Sequence, residues 1–469
     1  MAHDTELQEE FVPLKSRVWI SAADAACALL GGIVVNGALT YYFTRWRGLD
    51  AGLAATVWLL FGIWNAVNDP LFGYLSDRTK SGLGRRVPYI RYGAPIYALA
   101  FIACWLNWPS ADGSQALLFI QFFILLFLFD SLYTAIATSL YVMPFEVAVS
   151  NKARSGIFLW KILFSVVPLA VPLVLIPLIQ PGPGEDATTY QAIMLAFGLV
   201  MGALIFLSTF FYGEKHYRKD EEQFPFLKAL TECFTNRSFV VFEVLSFTII
   251  FVQTGLMQGV LYYFDEIDIP AMPLYAALAV GIVAGLVLFV RQREAWGVKK
   301  STRLMALVFS LGAFAVLFLG KSLVPTALGF FTFGLGFAGG MYLIPLMNGD
   351  VVDMDEHRTG LRREGMYAGV NSFITKPAIS IAQAVFLWTL SLFGYDAALG
   401  KGLQSAQAET GILVGWTLVP AILLFLCFVV LHWYPLDGPE WEAIKARLAI
   451  VHADKEKAYL EAHGFKYVE

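Results

Sequence analysis

Residues 52–86 read GLAATVWLLFGIWNAVNDPLFGYLSDRTKSGLGRR. The run Gly52–Trp64 carries no charge and continues into a segment holding Asn65, Asn68, Asp69 and Pro70. Its length and hydropathy are those of a membrane-crossing helix, which needs roughly 20 apolar residues. A carboxylate inside hydrocarbon costs at least a few kcal/mol, so Asp69 must face a cavity or a partner. Asn65, Asp69 and Gly73 recur every four residues and share one helix face, with Asn68 beside it. Asp77 lies in the basic, loop-like stretch that follows, where its charge reaches water.

The rest of the chain has the same character. It has 469 residues, 58% hydrophobic and 15% aromatic, with a mean hydropathy of +0.63. A soluble domain requires far more polar surface than this, so the chain reads as an all-α polytopic membrane protein. The net charge of −4 is small and points to no nucleic-acid partner. Cys27, Cys104, Cys233 and Cys427 are scattered without a CxxC pair, and the six histidines show no ligand spacing. Neither a disulfide framework, a zinc site nor another cofactor is expected. The N-terminus, MAHDTELQEEFVPLKSR, is acidic and lacks a cleavage site, so the first helix reads as an uncleaved anchor.

Twelve runs are long enough to span, at about 18–44, 53–75, 89–108, 115–143, 156–179, 189–212, 238–264, 272–290, 304–320, 324–348, 366–393 and 411–433. Lys and Arg concentrate in alternate loops, at 78–91, 152–154, 215–237, 291–303 and 358–363, against only Arg45, Arg47, Lys321 and Lys401 in the others. The positive-inside rule then puts both termini in the cytoplasm, and the plasma (inner) membrane is the expected location. The longest inner connection divides the chain into a six-helix half (1–212), a polar linker (213–237), a second six-helix half (238–433) and a cytoplasmic tail (434–469). Two such halves suit a transporter with a site between them. In the tail, Trp441, Ile444, Leu448 and Val451 form a helical stripe suited to the membrane face or the inner loops.

GYLSDRTKSGLGRR, after the second span, resembles the signature loop of the major facilitator superfamily, through Gly73, Asp77, Arg78, Arg85 and Arg86. The longer stretch NDPLFGYLSDRTKSGLGRRVPYI and the segment 349–376, GDVVDMDEHRTGLRREGMYAGVNSFITK, resemble the glycoside–pentoside–hexuronide:cation symporters, the melibiose permease-like family. EVAVSNKARSGIFLWK is a weaker match, with Glu146 and Arg154 in register. The resemblance implies a major facilitator fold and a second-helix cation site. Of that site's two acids, Asp69 matches the later and Asn65 replaces the earlier. The family's fourth-helix acid falls on Ala137, with Asp130 two turns away, and its first-helix acid falls near Leu29. Lys161 matches a fifth-helix arginine, Lys376 an eleventh-helix lysine and Tyr133 a fourth-helix tyrosine. The cation-site frame therefore transfers, and the sugar-binding set does not.

The expected cation site is Asp69 with Asn65 and Asn68, taking H+ or, with amide and carbonyl oxygens completing a shell, Na+. The structural alternatives are that Asp69 bonds Lys161 or helix ends, and that the asparagines bond between helices. The expected substrate cavity holds Tyr133, Trp160 and Phe373 as stacking faces, with Lys161, Lys376 and Asp130. Lysines near helix ends also snorkel, a stronger alternative for Lys161 than for the deeper Lys376. Asp24 reads as solvated or capping, while Glu243 is open between cavity and packing. The charged inner segments supply a gate: Asp77, Arg78, Arg85, Arg86 and Arg154 from the first half against Asp350, Asp353, Glu356 and Arg363 from the second.

Function follows as cation-coupled symport of a sugar- or glycoside-like solute by alternating access, by a monomer in the bilayer. No Walker-type GxxxxGK[ST] stretch supports ATP-driven transport. The alternatives are transport of an amphipathic lipid or other non-sugar solute, and a receptor or scaffold that keeps the fold without transport. No nucleophile–base set or metal cluster at membrane depth suggests an enzyme.

Overall fold

The computed structural model describes residues 9–108, 113–181, 185–214, 226–361, 363–462 and 464–467. These residues form fourteen helices: α1 (Leu14–Trp46), α2 (Ala51–Arg78), α3 (Val87–Cys104), α4 (Gln115–Val147), α5 (Lys152–Ile179), α6 (Thr188–Ser208), α7 (Phe226–Thr235), α8 (Arg237–Glu266), α9 (Ala271–Arg293), α10 (Ala295–Leu319), α11 (Leu323–Thr359), α12 (Glu364–Leu392), α13 (Ala406–Trp433) and α14 (Gly438–Ala462). All but α7 and α14 are long and apolar enough to cross a membrane. Those twelve form two six-helix halves, and their even number returns the chain to the face from which it started, called the terminal face below.

Several helix starts are fixed by side-chain caps, which satisfy amide donors that a first turn leaves unpaired. Asp50 accepts from the Leu53 amide at the start of α2, Ser150 from Ala153 at α5, Asn236 from Ser238 at α8 and Ser405 from Ala408 at α13. At α3 the cap comes from far along the chain. The Glu214 carboxylate accepts from the amides of Arg85, Arg86 and Val87 at 2.7–2.8 Å, a favourable place for negative charge.

The main contact between the halves is the antiparallel seam of α2 and α12, supported by α8 against a break in α1. The break lies at Asn36 and Gly37, where Gly37 adopts φ 107°. A Cβ there would stand 2.8 Å from Gln258 Cα, so both the dihedral and the close approach require glycine. The interrupted helix frees the Val35 carbonyl, which accepts from Gln383 Nε2 of α12 at 2.7 Å. A neighbouring helix thus repairs the backbone, as hydrocarbon demands.

Two expectations change. Asp350, Asp353, Asp355 and Glu356 do not sit in a loop after residue 348: α11 continues to Thr359 and stops at Gly360, at φ 72°. The charges there do not break the helix because Asp350, Asp355 and Glu356 are buried with Val351 and Val352 against neighbouring elements. Within 213–237, α7 is a helix, while 215–225 lie outside the described residues.

Candidate functional site

The polar residues of the α2 face are gathered into one network that joins both halves. Lys376 Nζ of α12 donates to Asp69 Oδ1 at 2.5 Å and to Asn68 Oδ1 at 3.0 Å. Asn68 Nδ2 in turn donates to Asp130 Oδ2 at 2.5 Å and to Thr134 Oγ1 at 3.1 Å, both on α4. Asn65 Nδ2 reaches the Lys376 carbonyl at 3.4 Å. Asn68 and Asp130 are buried, while Asp69 and Lys376 retain about a fifth of their side-chain exposure. Asn68 therefore uses both ends of its amide, accepting from the Lys376 ammonium and donating to Asp130, while the same ammonium holds Asp69. A buried charge is tolerated only when paired in this way.

Lys161 is not part of this network. Its Nζ pairs with Asp24 Oδ1 of α1 at 3.0 Å, so neither the Asp69–Lys161 contact nor a merely solvated Asp24 is seen. The reason is position: Lys161 lies low on α5, which packs on α1. Tyr133 lies on α4 with its ring against Gly31 of α1, where a Cβ would stand 2.6 Å from Cε2. Trp160 is partly exposed near Phe164, and Phe373 is partly exposed one turn before Lys376. Asp130 belongs to the network through Asn68, not through direct contact with a lysine.

A second set of charges, whose cation reads from the sequence as a loop residue, forms the least exposed ion pairs among the described residues. Arg45, at the end of α1, donates through Nε to Asp265 Oδ2 at 2.6 Å and through Nη2 to Glu266 Oε1, both on α8. All three side chains have 0–1% exposure. Arg45 Nη1 also donates to the Leu399 carbonyl at 2.8 Å, and Thr44 bonds Tyr262 at 2.7 Å. These contacts join the halves at the face opposite the termini. Arg45 and the Asp265–Glu266 pair each end an apolar run, which is the only sequence hint of their meeting.

The expected gate residues lie on the terminal face, and the ion pairs described for them run within a half, to α7 or to α14. Arg85 Nη2 binds Glu146 Oε1 at 2.5 Å, and Arg86 Nη1 donates to Ser76 Oγ. Arg154 donates to the Ala148 carbonyl and stacks on Phe145. Arg78 is exposed; the side chain of Asp77 lies outside the described residues. Arg363 binds Asp355 at 2.6 Å and Glu232 of α7 at 3.4 Å, and these acids hold its guanidinium well above the ordinary arginine range. Lys445 of α14 binds Asp350 at 3.0 Å, while His452 and Lys455 bind Glu356 at 2.8 and 2.7 Å. Asp353, Glu356 and His452 bring ligand atoms within 4.8 Å of one another. Lys455 already supplies Glu356 with the positive charge that a metal would bring. In the tail stripe Trp441 is buried, Ile444 and Leu448 are half-buried and Val451 is exposed, so ion pairs as well as apolar packing hold α14.

Comparison with known proteins agrees with this geometry. The family model described as MFS/sugar transport protein matches residues 20–438. The chain is 26% identical to the uncharacterized symporter YnaJ of Bacillus subtilis (strain 168), over 96% of this chain and 97% of that one. It is 25% identical to the putative glycoside/cation symporter YagG of Escherichia coli (strain K12), over 96% and 98%. The isoprimeverose transporter of Lactiplantibacillus pentosus is 25% identical, over 92% and 91%. Among solved structures, that of a D-xylose-proton symporter superposes with a TM-score of 0.63 at 14% identity, covering 89% of this chain and 97% of that one. The chain belongs to the major facilitator superfamily, in its glycoside–pentoside–hexuronide:cation symporter family.

Proposed function

We propose that this protein is a proton-coupled symporter of a sugar- or glycoside-like solute, with Asp69 as the coupling group and the terminal face cytoplasmic. The observation that carries the reading is the place of Lys376 Nζ, between Asp69 Oδ1 and Asn68 Oδ1 across the two halves. An ammonium at this point stands where a bound cation would be, so the empty carrier keeps its buried carboxylate neutralised while it reorients. A cation arriving at Asp69 displaces Lys376, whose freed ammonium then turns to Asp130 or to substrate hydroxyls. The relatives' names support a glycoside over a lipid as solute.

The proton is favoured because one carboxylate suffices to hold it. Sodium prefers several oxygens at once, as hard cations do, and Asp69 Oδ1 and Asn68 Oδ1 are the two that Lys376 Nζ binds. Closure at Arg45 makes this the inward-open arrangement, in which the acids of α11 are held by α14 in place of the opposite half. The test is accumulation of radiolabelled isoprimeverose, methyl glycosides and glucuronides in vesicles under an imposed proton or sodium gradient. Proton-driven accumulation is expected, lost to background in Asp69→Asn while downhill exchange persists. Accumulation that follows sodium at fixed pH and ignores protons sinks the proton assignment. Concentrative uptake by Asp69→Asn sinks the site.

A further inference from the structure

Glu243 is a buried acid that the coupling network does not use. It lies two turns into α8 from the terminal face, 5% exposed. Its Oε1 accepts from Asn371 Nδ2 of α12 at 3.0 Å, and the same Nδ2 donates its other hydrogen to Ser246 Oγ at 3.1 Å. Oε2 is buried and has no hydrogen-bond partner among the described residues. No lysine, arginine or histidine among them pairs with either oxygen.

The groups facing Glu243 from its neighbours supply no counter-charge. Asn371 and Tyr367 face it from α12, and Tyr367 is bonded by Asn236 Nδ2 at 3.1 Å. From α7 comes Cys233, whose thiol burial pushes up to about 12, so it stays neutral. Beyond Cys233, Arg363 at the start of α12 is taken up by Asp355 of α11 and Glu232 of α7. Cys427 of α13 lies against Thr248, one turn deeper on α8, and His432 just past it is exposed. Ionised, Glu243 would be a lone charge in a low-dielectric wall, whereas a protonated carboxyl fits without a partner cation. Its hydrogen-bond partner Asn371 is on the helix that carries Lys376, five residues nearer the terminal face.

We propose that Glu243 is a second proton-binding group of the carrier, in the half opposite Asp69, protonated in this arrangement and deprotonated when the α8–α12 seam opens. Opening brings water to Oε2. The Glu243 O–H bond breaks, the proton passes to that water, and the carboxylate remains with Asn371 Nδ2–H on Oε1. Because Asn371 and Lys376 are on one rigid helix, movement of Lys376 at the coupling site shifts the donor that holds Glu243. The inference rests on the transporter reading but not on which ion binds Asp69.

Infrared difference spectra of the full chain in lipid nanodiscs, taken from mildly acid to mildly alkaline pH, read the carboxylic C=O stretch directly and need no substrate. One titrating protonated-carboxyl band should be missing from Glu243→Gln and present in Asp69→Asn. The same band in Glu243→Gln overturns the proposal. If Glu243→Gln does not fold, Asn371→Ala decides: loss of the donor should shift both the frequency and the midpoint of that band, and an unchanged band overturns the proposal. Failure of Asp69→Asn to lose proton-driven uptake sinks the coupling site alone, since it leaves the Glu243 band in place.

Discussion

The α2–α12 seam differs sharply between its two ends. At Gly62, a Cβ would stand 2.9 Å from Ser380 Cβ, so the helices touch. Eleven residues further along each helix lie Gly73 and Gly369, in the same antiparallel register and, after three turns, on the same faces. At either of these a Cβ would meet nothing within 4 Å. The seam is thus closed toward Arg45 and splayed toward the termini, over a distance of about 16 Å. The Asp69–Lys376 pair lies between the two regimes. One pair of rigid helices records which face is shut, and the charged site is where they part.

The largest effect is expected at the closed end. Arg45→Ala leaves Asp265 and Glu266 buried and uncompensated, with Lys401 Nζ 3.5 Å from Asp265 as the remaining cation. Loss of one partner from a buried ion pair costs roughly 3–5 kcal/mol. Thermal unfolding in detergent should fall accordingly, and a cysteine placed at Gly62 should become accessible to a reagent applied from the face opposite the termini. Unchanged labelling would mean that the α2–α12 contact closes this face without Arg45.

A pair of glycine replacements sharpens the comparison. Gly62→Leu overpacks a tight contact and should cost about 1–3 kcal/mol of stability. Gly73→Leu should cost almost none, because its side chain enters open space. If that end closes during transport, Gly73→Leu should nevertheless stop uptake. Normal uptake by Gly73→Leu would show that the splayed end never comes together as tightly as the closed one.

The smallest effect is expected at α14. Lys455→Ala removes a half-exposed cation from buried Glu356, which keeps its contact with His452, and a pair open to water at one end is worth about 1 kcal/mol or less. Stability should barely move, and a large loss would make the tail a structural part of the bundle.

The spans were legible because hydropathy alone dictates them, and Asp69 and Lys376 stood out because a charge at membrane depth needs a reason. That Lys161 would choose Asp24 was not legible, since both lysines sit inside apolar runs and only helix packing separates them. Arg45 was hidden for a different reason. A cation at the end of an apolar run looks the same whether it enters water or turns inward to acids some 220 residues away. The end of α11 reads as loop from its charge density, yet Asp350, Asp355 and Glu356 are buried within the last turns of the helix.

The cap on α3 bears on how the chain can be cut. Glu214, which closes the first turn of that helix, belongs to the same side of residues 215–225 as the helices it serves, and Asn236, which caps α8, belongs to the other. A nick between these positions severs no cap from its helix. Each fragment carries its own six spans with these caps in place, and the contacts between the halves, the α2–α12 seam and the Arg45 ion pairs among them, are left to form. Two separately translated pieces, expressed together, should therefore meet in the bilayer and rebuild the carrier.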